Sequence, residues 1–367
     1  MSSIPDSSVL RELQSRTLSK GGRLVPLFLV ILASCNSNPT DMGPIPLVTQ
    51  GVYVLNEGVP TRANSTLTYF VPDSNKVYQD VFGTANGRPL GDTGGEIVVA
   101  GAFAYLLVSG SDKIEVMRTS DNVSTATIPL KSGRNPFALA VAGTKAYVTN
   151  HNPIGSVTVL DLTSNTVLRD SVGVGFYPEG LTSSAGKVYV CNANRGSGRT
   201  VSVIDATTDR LLRNIVVSDG PSCADVTPDG SVWILCTGSF GGSGSPNSET
   251  PGNIFVIDPI YDVVVDSIFV GGHPSGMAIS LDDFAYVVEE DRVLKYNAQL
   301  NQLASSGLVV GSLNYSAIAV DDYTNLIYVA DARDVVQNGE VQIYTADGFF
   351  RGRFDTGVAP VSIAFRR

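Results

Sequence analysis

Residues 147–161 read YVTNHNPIGSVTVLD, and this stretch decides the fold because its pattern returns along the chain. Residues 189–205 read YVCNANRGSGRTVSVID, so a second copy again joins two strand-forming apolar runs through a polar loop. A third copy places VWILC at 232–236 and IFVID at 254–258, with a Gly- and Ser-rich insertion over 238–252 between them. Equivalent positions recur after 42, 43, 53, 40 and 46 residues, at Pro136, Pro178, Pro221, Pro274, Asn314 and Pro360.

The repeat predicts an all-β fold, a seven-bladed β-propeller of four-stranded antiparallel blades. Each unit offers four short strands, and a lone four-stranded sheet cannot bury both faces, whereas radial stacking of several sheets does. Residues 51–88 supply three strands, the last over residues 77–82, without an innermost strand. Residues 360–365, PVSIAF, supply an innermost strand without a blade. Joining these two segments closes the ring at seven blades and removes the open edge.

The composition suits this fold and excludes one class of partner. Of the 367 residues, 43% are hydrophobic and only 16% are charged, which is enough apolar content for a packed core. The 37 glycines and 19 prolines fit many tight turns between short strands. The net charge of −10 gives an acidic surface that repels phosphate backbones, so we expect no nucleic-acid partner.

The N-terminal segment has the pattern of an export signal. Residues 24–33 form an apolar run that is too short to span a bilayer and that follows the basic residues Lys20 and Arg23. Residues 32–35 read LASC, which resembles the bacterial lipobox, where the cysteine is lipidated. A plain secretory signal with a chance cysteine is the alternative. We therefore predict lipidation at Cys35.

This signal divides the chain into three parts and gives it a location. The predicted parts are a lipoprotein signal peptide with its lipobox over residues 1–35, a flexible tether over 36–50 and the propeller over 51–367. We expect the protein in the cell envelope, held to the membrane by its lipid anchor. The outer membrane is the expected membrane, with the propeller exposed at the cell surface.

Two sets of motifs carry a family resemblance. YVTN at 147–150, followed by SVTVLD at 156–161, resembles the YVTN-type, YncE-like propellers of bacterial envelopes. GVYVLNEG at 51–58, NGRPLGD at 86–92 and KIEV at 113–116 are similar to a subgroup of Bacteroidota surface lipoproteins, which includes the vitamin B12-capturing, BtuG-type propellers. Those propellers cap a TonB-dependent outer-membrane receptor. The resemblance therefore implies a corrinoid ligand and such a receptor as partner, and it specifies the fold more strongly than the ligand.

One rim of the predicted propeller carries the longer and more variable loops. The loops that lead into the innermost strand and those between the second and third strands share this side, here named the long-loop rim; the opposite side is the short-turn rim. Function concentrates on elaborated loops, where aromatic rings offer flat contacts and Arg and Asn orient a ligand, although any single ring could instead pack between blades. The candidate ligand-binding residues are Asn56, Arg88, Asn150, His151, Phe176, Tyr177, Asn192, Arg195, Phe240, His273, Asn314 and Tyr315.

The two histidines, His151 and His273, both fall on the predicted long-loop rim. Either could contact a metal, including the cobalt of a corrinoid, but hydrogen bonding within a loop is the simpler expectation. A zinc site needs three or four ligands, and no spacing of His, Cys and Asp in this sequence supplies them. We therefore predict no bound metal and no cofactor, with a corrinoid only as a bound ligand.

The sequence predicts a binding protein rather than an enzyme. A propeller enzyme, such as a lactonase or a quinoprotein, needs several histidines or convergent carboxylates near the axis. The sequence shows no nucleophile motif, so no catalytic residue is assigned. A protein-interaction scaffold or surface-layer component that uses the same rim is the alternative. A deep polar cavity on the rim would favour a small-molecule ligand, whereas a flat rim with an apolar patch would favour a protein partner.

Three cysteines remain after Cys35. Cys223 and Cys236 flank the turn at 228–231 in a register that sets them opposite each other, which permits a cross-strand disulfide in an oxidising compartment. Packed free thiols fit equally well, because Cys191 would be left single in either case.

Overall fold

Seven four-stranded antiparallel sheets form the computed structural model, which describes residues 48–241, 248–311 and 314–367. Residues Leu47–Arg367 form one compact unit. The predicted signal peptide, Cys35 and the predicted tether up to residue 47 lie outside the described residues. The sheets are named blades 1 to 7, and each has an inner strand beside the axis and three further strands toward the outside.

The first four blades follow the predicted repeat. Blade 1 contains β1 (Gly51–Asn56), β2 (Thr66–Val71) and β3 (Lys76–Tyr78), and its inner strand is the last strand of the chain, β28 (Pro360–Arg366). Blade 2 contains β4 (Gly94–Ala100), β5 (Phe103–Val108), β6 (Lys113–Arg118) and β7 (Ser124–Pro129). Blade 3 contains β8 (Pro136–Ala142), β9 (Lys145–Asn150), β10 (Ser156–Asp161) and β11 (Thr166–Gly173). Blade 4 contains β12 (Pro178–Ser184), β13 (Lys187–Asn192), β14 (Thr200–Asp205) and β15 (Arg210–Val216).

The remaining three blades complete the ring. Blade 5 contains β16 (Pro221–Val226), β17 (Val232–Cys236), β18 (Gly252–Asp258) and β19 (Val263–Gly271). Blade 6 contains β20 (Gly276–Ile279), β21 (Phe284–Glu289), β22 (Arg292–Asn297) and β23 (Gln302–Val310). Blade 7 contains β24 (Tyr315–Asp321), β25 (Leu326–Asp331), β26 (Asn338–Thr345) and β27 (Phe350–Val358). The predicted fold class is confirmed.

The segment after β3 departs from its predicted strand. Residues Val81–Asn86 form a short helix, α1, because the Asp80 carboxylate accepts a hydrogen bond from Gly83 N at 3.0 Å and Gly87 ends the helix with a left-handed φ of 62°. Within the described ranges no helix is long and apolar enough to cross a bilayer.

The ring closes where β28 joins blade 1. β28 pairs antiparallel with β1, which sets Val54 opposite Ile363, and β1 pairs with β2 on its other side. Below this joint, on the short-turn rim, the buried Asp321 carboxylate accepts hydrogen bonds from Thr49 Oγ1 at 2.6 and 2.7 Å and from Arg367 Nη1 at 2.6 Å. One carboxylate of blade 7 therefore holds chain segments that flank both β1 and β28. We name this group of three residues the closure clamp.

The tyrosine of the repeated motif joins neighbouring blades. The Tyr189 hydroxyl of blade 4 donates to the Asp262 carboxylate of blade 5 at 2.7 Å, and the Tyr147 hydroxyl of blade 3 donates to Asp209 of blade 4 in the same way. The aromatic rings themselves are fully buried between the sheets. In these blades the motif therefore supplies a buried apolar ring whose polar tip reaches the next blade.

The predicted register of the cysteines is wrong. A β-bulge between Pro221 and Cys223 shifts the pairing of β16 with β17, so that Cys223 faces Leu235 and Cys236 faces Pro221. The thiols of Cys191, Cys223 and Cys236 are free. The disulfide between Cys223 and Cys236 is therefore absent, and the packed free thiols are what the structure contains.

Candidate functional site

The inner strands surround an axial channel that opens into a cavity on the long-loop rim. This upper cavity has a volume of about 790 Å³, and a second cavity of about 640 Å³ continues below it. The two share lining residues, among them Glu96, Cys223 and Ser362. The upper cavity extends outward over blades 3 and 4, because the loops there stand around it.

Aromatic rings and a guanidinium group form one side of the upper cavity, here named the aromatic wall. The His151 ring centroid lies 5.0 Å from that of Phe137 and 5.3 Å from that of Tyr177. The guanidinium carbon of Arg195 lies 4.2 Å above the Tyr177 ring centroid, which is a cation–π contact. All four residues line the cavity, so its mouth presents flat apolar surface beside a positive charge.

The backbone at Tyr177 is strained. Tyr177 directly precedes the inner strand of blade 4, a place here named the lead-in position, and its φ is 43°. The lead-in residues of other blades share this left-handed conformation: Thr93, Asn135, Gly220 and Ala359 have φ values of 56°, 48°, 67° and 52°. Glycine and asparagine adopt it readily, whereas a bulky residue costs about 1–3 kcal/mol, and such strain concentrates at functional sites.

Three carboxylates face the aromatic wall or lie beneath it. Glu179 Oε1 lies 3.6 Å from His151 Nε2. The Glu96 carboxylate accepts a hydrogen bond from Leu139 N at 2.5 Å, and burial in the channel raises its pKa to about 7. Glu57 also lines the cavity, where burial and then the neighbouring charge of Asp92 raise its pKa. The inner part of the cavity is therefore acidic.

Three of the twelve predicted residues line the cavity: His151, Tyr177 and Arg195. The predicted asparagines have a different role. Asn150 is fully buried and donates to Ser156 Oγ at 3.0 Å and Thr158 Oγ1 at 3.1 Å within its own blade, and Asn56 and Asn192 are used similarly. Their position at the end of the second strand lets one amide tie two strands together. The prediction that they contact a ligand is therefore corrected to a structural role.

The other predicted residues lie outside the cavity lining. Arg88 pairs with the buried Glu115 at 2.9 Å on the side of blade 2; burial alone would raise the pKa of Glu115, but hydrogen bonds from Arg88, Lys113 and Thr127 lower it to about 2. Phe176, next to Tyr177, is 59% exposed.

Around blades 5 to 7 the predicted residues contact one another or the core. Phe240 stacks on His273 with ring centroids 4.0 Å apart, and His273 Nδ1 lies 3.1 Å from Thr237 O. The Asn314 side chain donates to Arg333 O, and Tyr315 is buried in the core between blades 6 and 7. Tyr315 is therefore corrected to a core residue. Phe240, His273 and Asn314 lie outside the cavity lining, and ligand contact by them stays a prediction.

Sequence reasoning missed the cavity residues that stand on the inner strands: Glu96, Phe137 and Glu179. A signal for them is present. In every blade, the second and third residues after the lead-in position stand at the start of the inner strand. Apart from these three, the residues that line the cavity there are Gly, Ala, Ser, Cys or Val. Superposing the seven repeats would therefore single out these three as the only large or charged residues among small ones, in the part of the chain that the structure describes.

Within residues 48–241, 248–311 and 314–367, no three His, Cys, Asp or Glu side chains are grouped so that they could hold a metal ion. The groups that the cavity offers to a ligand are carboxylates, one guanidinium, one imidazole and aromatic rings. These suit recognition of an organic molecule by charge, hydrogen bonds and ring contacts.

A protein-family model with the description "Domain of unknown function (DUF5074)" matches residues 50–240, slightly more than half of the chain. No curated protein matches the sequence. The match covers blades 2 to 4 and parts of blades 1 and 5, and it includes every residue that forms the aromatic wall.

Solved structures with the same fold come from several bacteria. Hydrazine synthase from Kuenenia stuttgartiensis is 17% identical with a TM-score of 0.61, over 73% of this chain and 88% of that one. A quinoprotein alcohol dehydrogenase-like protein from Bacteroides thetaiotaomicron is 16% identical with a TM-score of 0.67, over 86% and 78%. A functionally unknown protein from Desulfotomaculum acetoxidans is 14% identical with a TM-score of 0.65, over 86% and 99%. At these identities the likeness shows the fold alone.

Proposed function

Because this chain belongs to the DUF5074 family, whose description leaves the function open, we propose its function from the cavity. The protein is a non-catalytic lipoprotein of the cell envelope that binds a small molecule on the long-loop rim of its propeller. The observation that carries this proposal is the cavity of about 790 Å³ with its aromatic wall. Its volume lies within the range of about 300–1,000 Å³ that is typical of small-molecule sites.

The strain at Tyr177 supports the same site. The repeat supplies less costly residues at the lead-in position, such as Asn135 in the neighbouring blade. Tyr177 instead keeps an aromatic ring there at an energetic cost, and Arg195, whose φ is 55°, covers that ring. A ring contact with a ligand would explain why this arrangement is kept.

A corrinoid is the first ligand to test, and nutrient capture for a TonB-dependent outer-membrane receptor is the role that we propose with it. The motifs at 51–58, 86–92 and 113–116 support this choice through their resemblance to vitamin B12-capturing propellers. A corrinoid is a large ring edged with amides. It would set part of its ring against Phe137 and Tyr177, while Arg195 contacts its polar edge.

Calorimetric titration with cyanocobalamin and cobinamide tests the proposal. We expect saturable binding by the purified full-length protein, and a loss of at least tenfold in affinity for Tyr177→Asn, because the ring contact disappears. Asparagine keeps the left-handed backbone, as Asn135 does, so this variant stays folded. The matched control is Phe176→Ala, which removes a neighbouring ring outside the cavity and should leave affinity unchanged.

The same pair of variants separates this function from protein binding. Ile154, Phe176 and Phe240 are 75%, 59% and 67% exposed on the long-loop rim, which favours a protein-interaction scaffold as the second candidate. If a protein partner contacts these side chains, Phe176→Ala should weaken its binding and Tyr177→Asn should not. The reverse order of effects supports the small-molecule site. Equal binding by both variants and the wild type would contradict the proposed cavity.

The lipid anchor is tested separately. Cys35→Ser is expected to move the protein from the membrane fraction to the soluble fraction, because the thiol that would carry the lipid is gone. Cys223→Ser is the matched control and should leave the protein in the membrane fraction, since that thiol lies inside the propeller. Protease added to intact cells should digest the wild-type propeller. Complete protection would contradict surface exposure.

A further inference from the structure

Two carboxyl groups in the cavity have no cationic partner among the described residues, and burial keeps them partly protonated. They are Glu57 and Glu96, on blades 1 and 2. Burial raises the pKa of both carboxyl groups; the charge of Asp92 also raises the pKa of Glu57, and the backbone amide of Leu139 lowers that of Glu96. In the part of the chain that the structure describes, no Lys, Arg or His contributes to either pKa. A partly buried carboxylate without a cationic partner is costly, and a bound cation would offset that cost.

The positive groups stand at the mouth and on one side. Arg195 is exposed and stacks on Tyr177, so solvent screens its charge, and His151 lies beside Glu179. The Cys223 thiol, which also faces Glu96, is neutral because burial raises its pKa to about 12. The charged and titratable groups that line the upper cavity are therefore Glu57, Glu96, Glu179, His151, Arg195, Tyr177 and Cys223, three of them carboxylates and one always positive.

The aromatic wall adds an apolar surface to the same cavity. Phe137 is 39% exposed although it stands on an inner strand, so part of its ring is available to a ligand. Glu57, Glu96 and Glu179 stand on three different blades and are not grouped as ligands of one metal ion within the described chain. An organic cation can satisfy both features, since its charged end reaches the carboxylates while its flat body lies against the rings.

We propose that the cavity selects an organic cation with a flat aromatic body, held by Glu57 and Glu96 at its charged end and by Phe137 and Tyr177 at its ring, and that it rejects anions of the same shape. This inference rests on the proposed function, because it uses the same cavity. It names the charge of the ligand, which the corrinoid titration does not address. It also predicts that binding displaces protons, since a cation favours the ionised form of carboxylates that burial keeps partly protonated.

Three probes with one indole ring test the charge. Tryptamine is a cation, tryptophol is its neutral analogue with a hydroxyl in place of the ammonium group, and indole-3-acetate is an anion. We expect tryptamine to bind the full-length protein at least tenfold more tightly than tryptophol, and indole-3-acetate more weakly than both. Calorimetry in phosphate and in Tris buffer at pH 7 should give different heats for tryptamine, since these buffers absorb the released protons with different enthalpies.

One variant and its control test whether Glu96 provides this preference. Glu96→Gln should reduce the ratio of tryptamine to tryptophol affinity at least fivefold and remove most of the proton release, while tryptophol affinity stays the same. Glu290→Gln, which changes an exposed glutamate outside the cavity lining, should alter neither quantity.

The outcomes distinguish this inference from the proposed function. If tryptophol or indole-3-acetate binds as tightly as tryptamine, and Tyr177→Asn weakens it, the cavity binds small molecules but the charge selection is overturned. If none of the three probes binds at millimolar concentration, the organic-cation inference is overturned, while the corrinoid titration still decides the proposed function. Tryptamine binding that Glu96→Gln leaves unchanged would also overturn it.

Discussion

Removal of residues 360–367 is expected to abolish the cooperative unfolding of the propeller. These residues form β28, the inner strand of blade 1, and carry Arg367 of the closure clamp. Without them β1 becomes an open edge, and the Ile97 amide of blade 2 loses the Ser362 hydroxyl that lies 3.2 Å away. Circular dichroism during urea titration should show a broad, gradual change in place of a sigmoid transition.

A single substitution tests the closure clamp without deleting a strand. Asp321→Ala should lower the free energy of unfolding by about 3 kcal/mol, because it removes the buried acceptor of Thr49 and Arg367. Asp347→Ala, on the same blade and the same rim but exposed, is the matched control and should change stability by less than about 0.5 kcal/mol. Equal stability of the two variants would show that ring closure does not depend on this carboxylate.

The propeller is expected to lose stability as the pH rises from 5 to 8. Burial raises the pKa of Glu96 from 4.5 to about 7 and that of Asp225 from 3.8 to about 6. Between the lower and the higher values, the folded chain holds protons that the unfolded chain has already lost, so raising the pH favours unfolding. For Glu96 this amounts to roughly 2–3 kcal/mol over the interval.

Urea denaturation of two variants at pH 5 and pH 8 measures this contribution. Glu96→Gln should have a difference in unfolding free energy between the two pH values that is smaller than that of the wild type by about 2 kcal/mol. Glutamine still accepts the hydrogen bond from Leu139 N, so the fold is kept. Glu290→Gln should reproduce the wild-type difference. If Glu96→Gln does so as well, the carboxylate in the channel titrates normally and the expected pH dependence has another source.

The fold could be predicted because its information is repeated. Most copies of the motif carry a tyrosine in the second strand, with Trp233 in its place in blade 5, and all show similar apolar strands, so an ambiguous blade can be interpreted from its neighbours. The closing strand was also predictable, since residues 360–365 and 51–88 are incomplete in complementary ways. What failed were local deviations. The bulge at Pro221–Cys223 shifts one register, and Asp80 with Gly87 turns the expected end of a strand into α1.

The candidate site was harder to predict because a polar residue on a loop can serve the fold as well as a ligand. Asn150 follows YVT and precedes a loop, yet its amide bonds within the blade. Tyr177 also stands where a loop meets a strand, but its side chain lines the cavity. The sequence does not show which of these side chains points toward the axis, and that direction decides between a structural role and a place in the cavity. Glu96 and Glu179 escaped notice because they stand within strands, where only comparison between repeats shows them as exceptions.

The lead-in positions have an evolutionary consequence. Asn135, Tyr177, Gly220 and Ala359 hold the same backbone conformation with an amide, a phenol, a hydrogen atom and a methyl group. The main chain at these places is therefore fixed by the repeat and accepts side chains of different chemistry, at a cost of about 1–3 kcal/mol for a bulky one. A point mutation at one of them can change the chemistry of the opening while the sheets beneath keep their register. A propeller of this kind can therefore acquire new ligands by single substitutions, one blade at a time, each at a limited cost in stability.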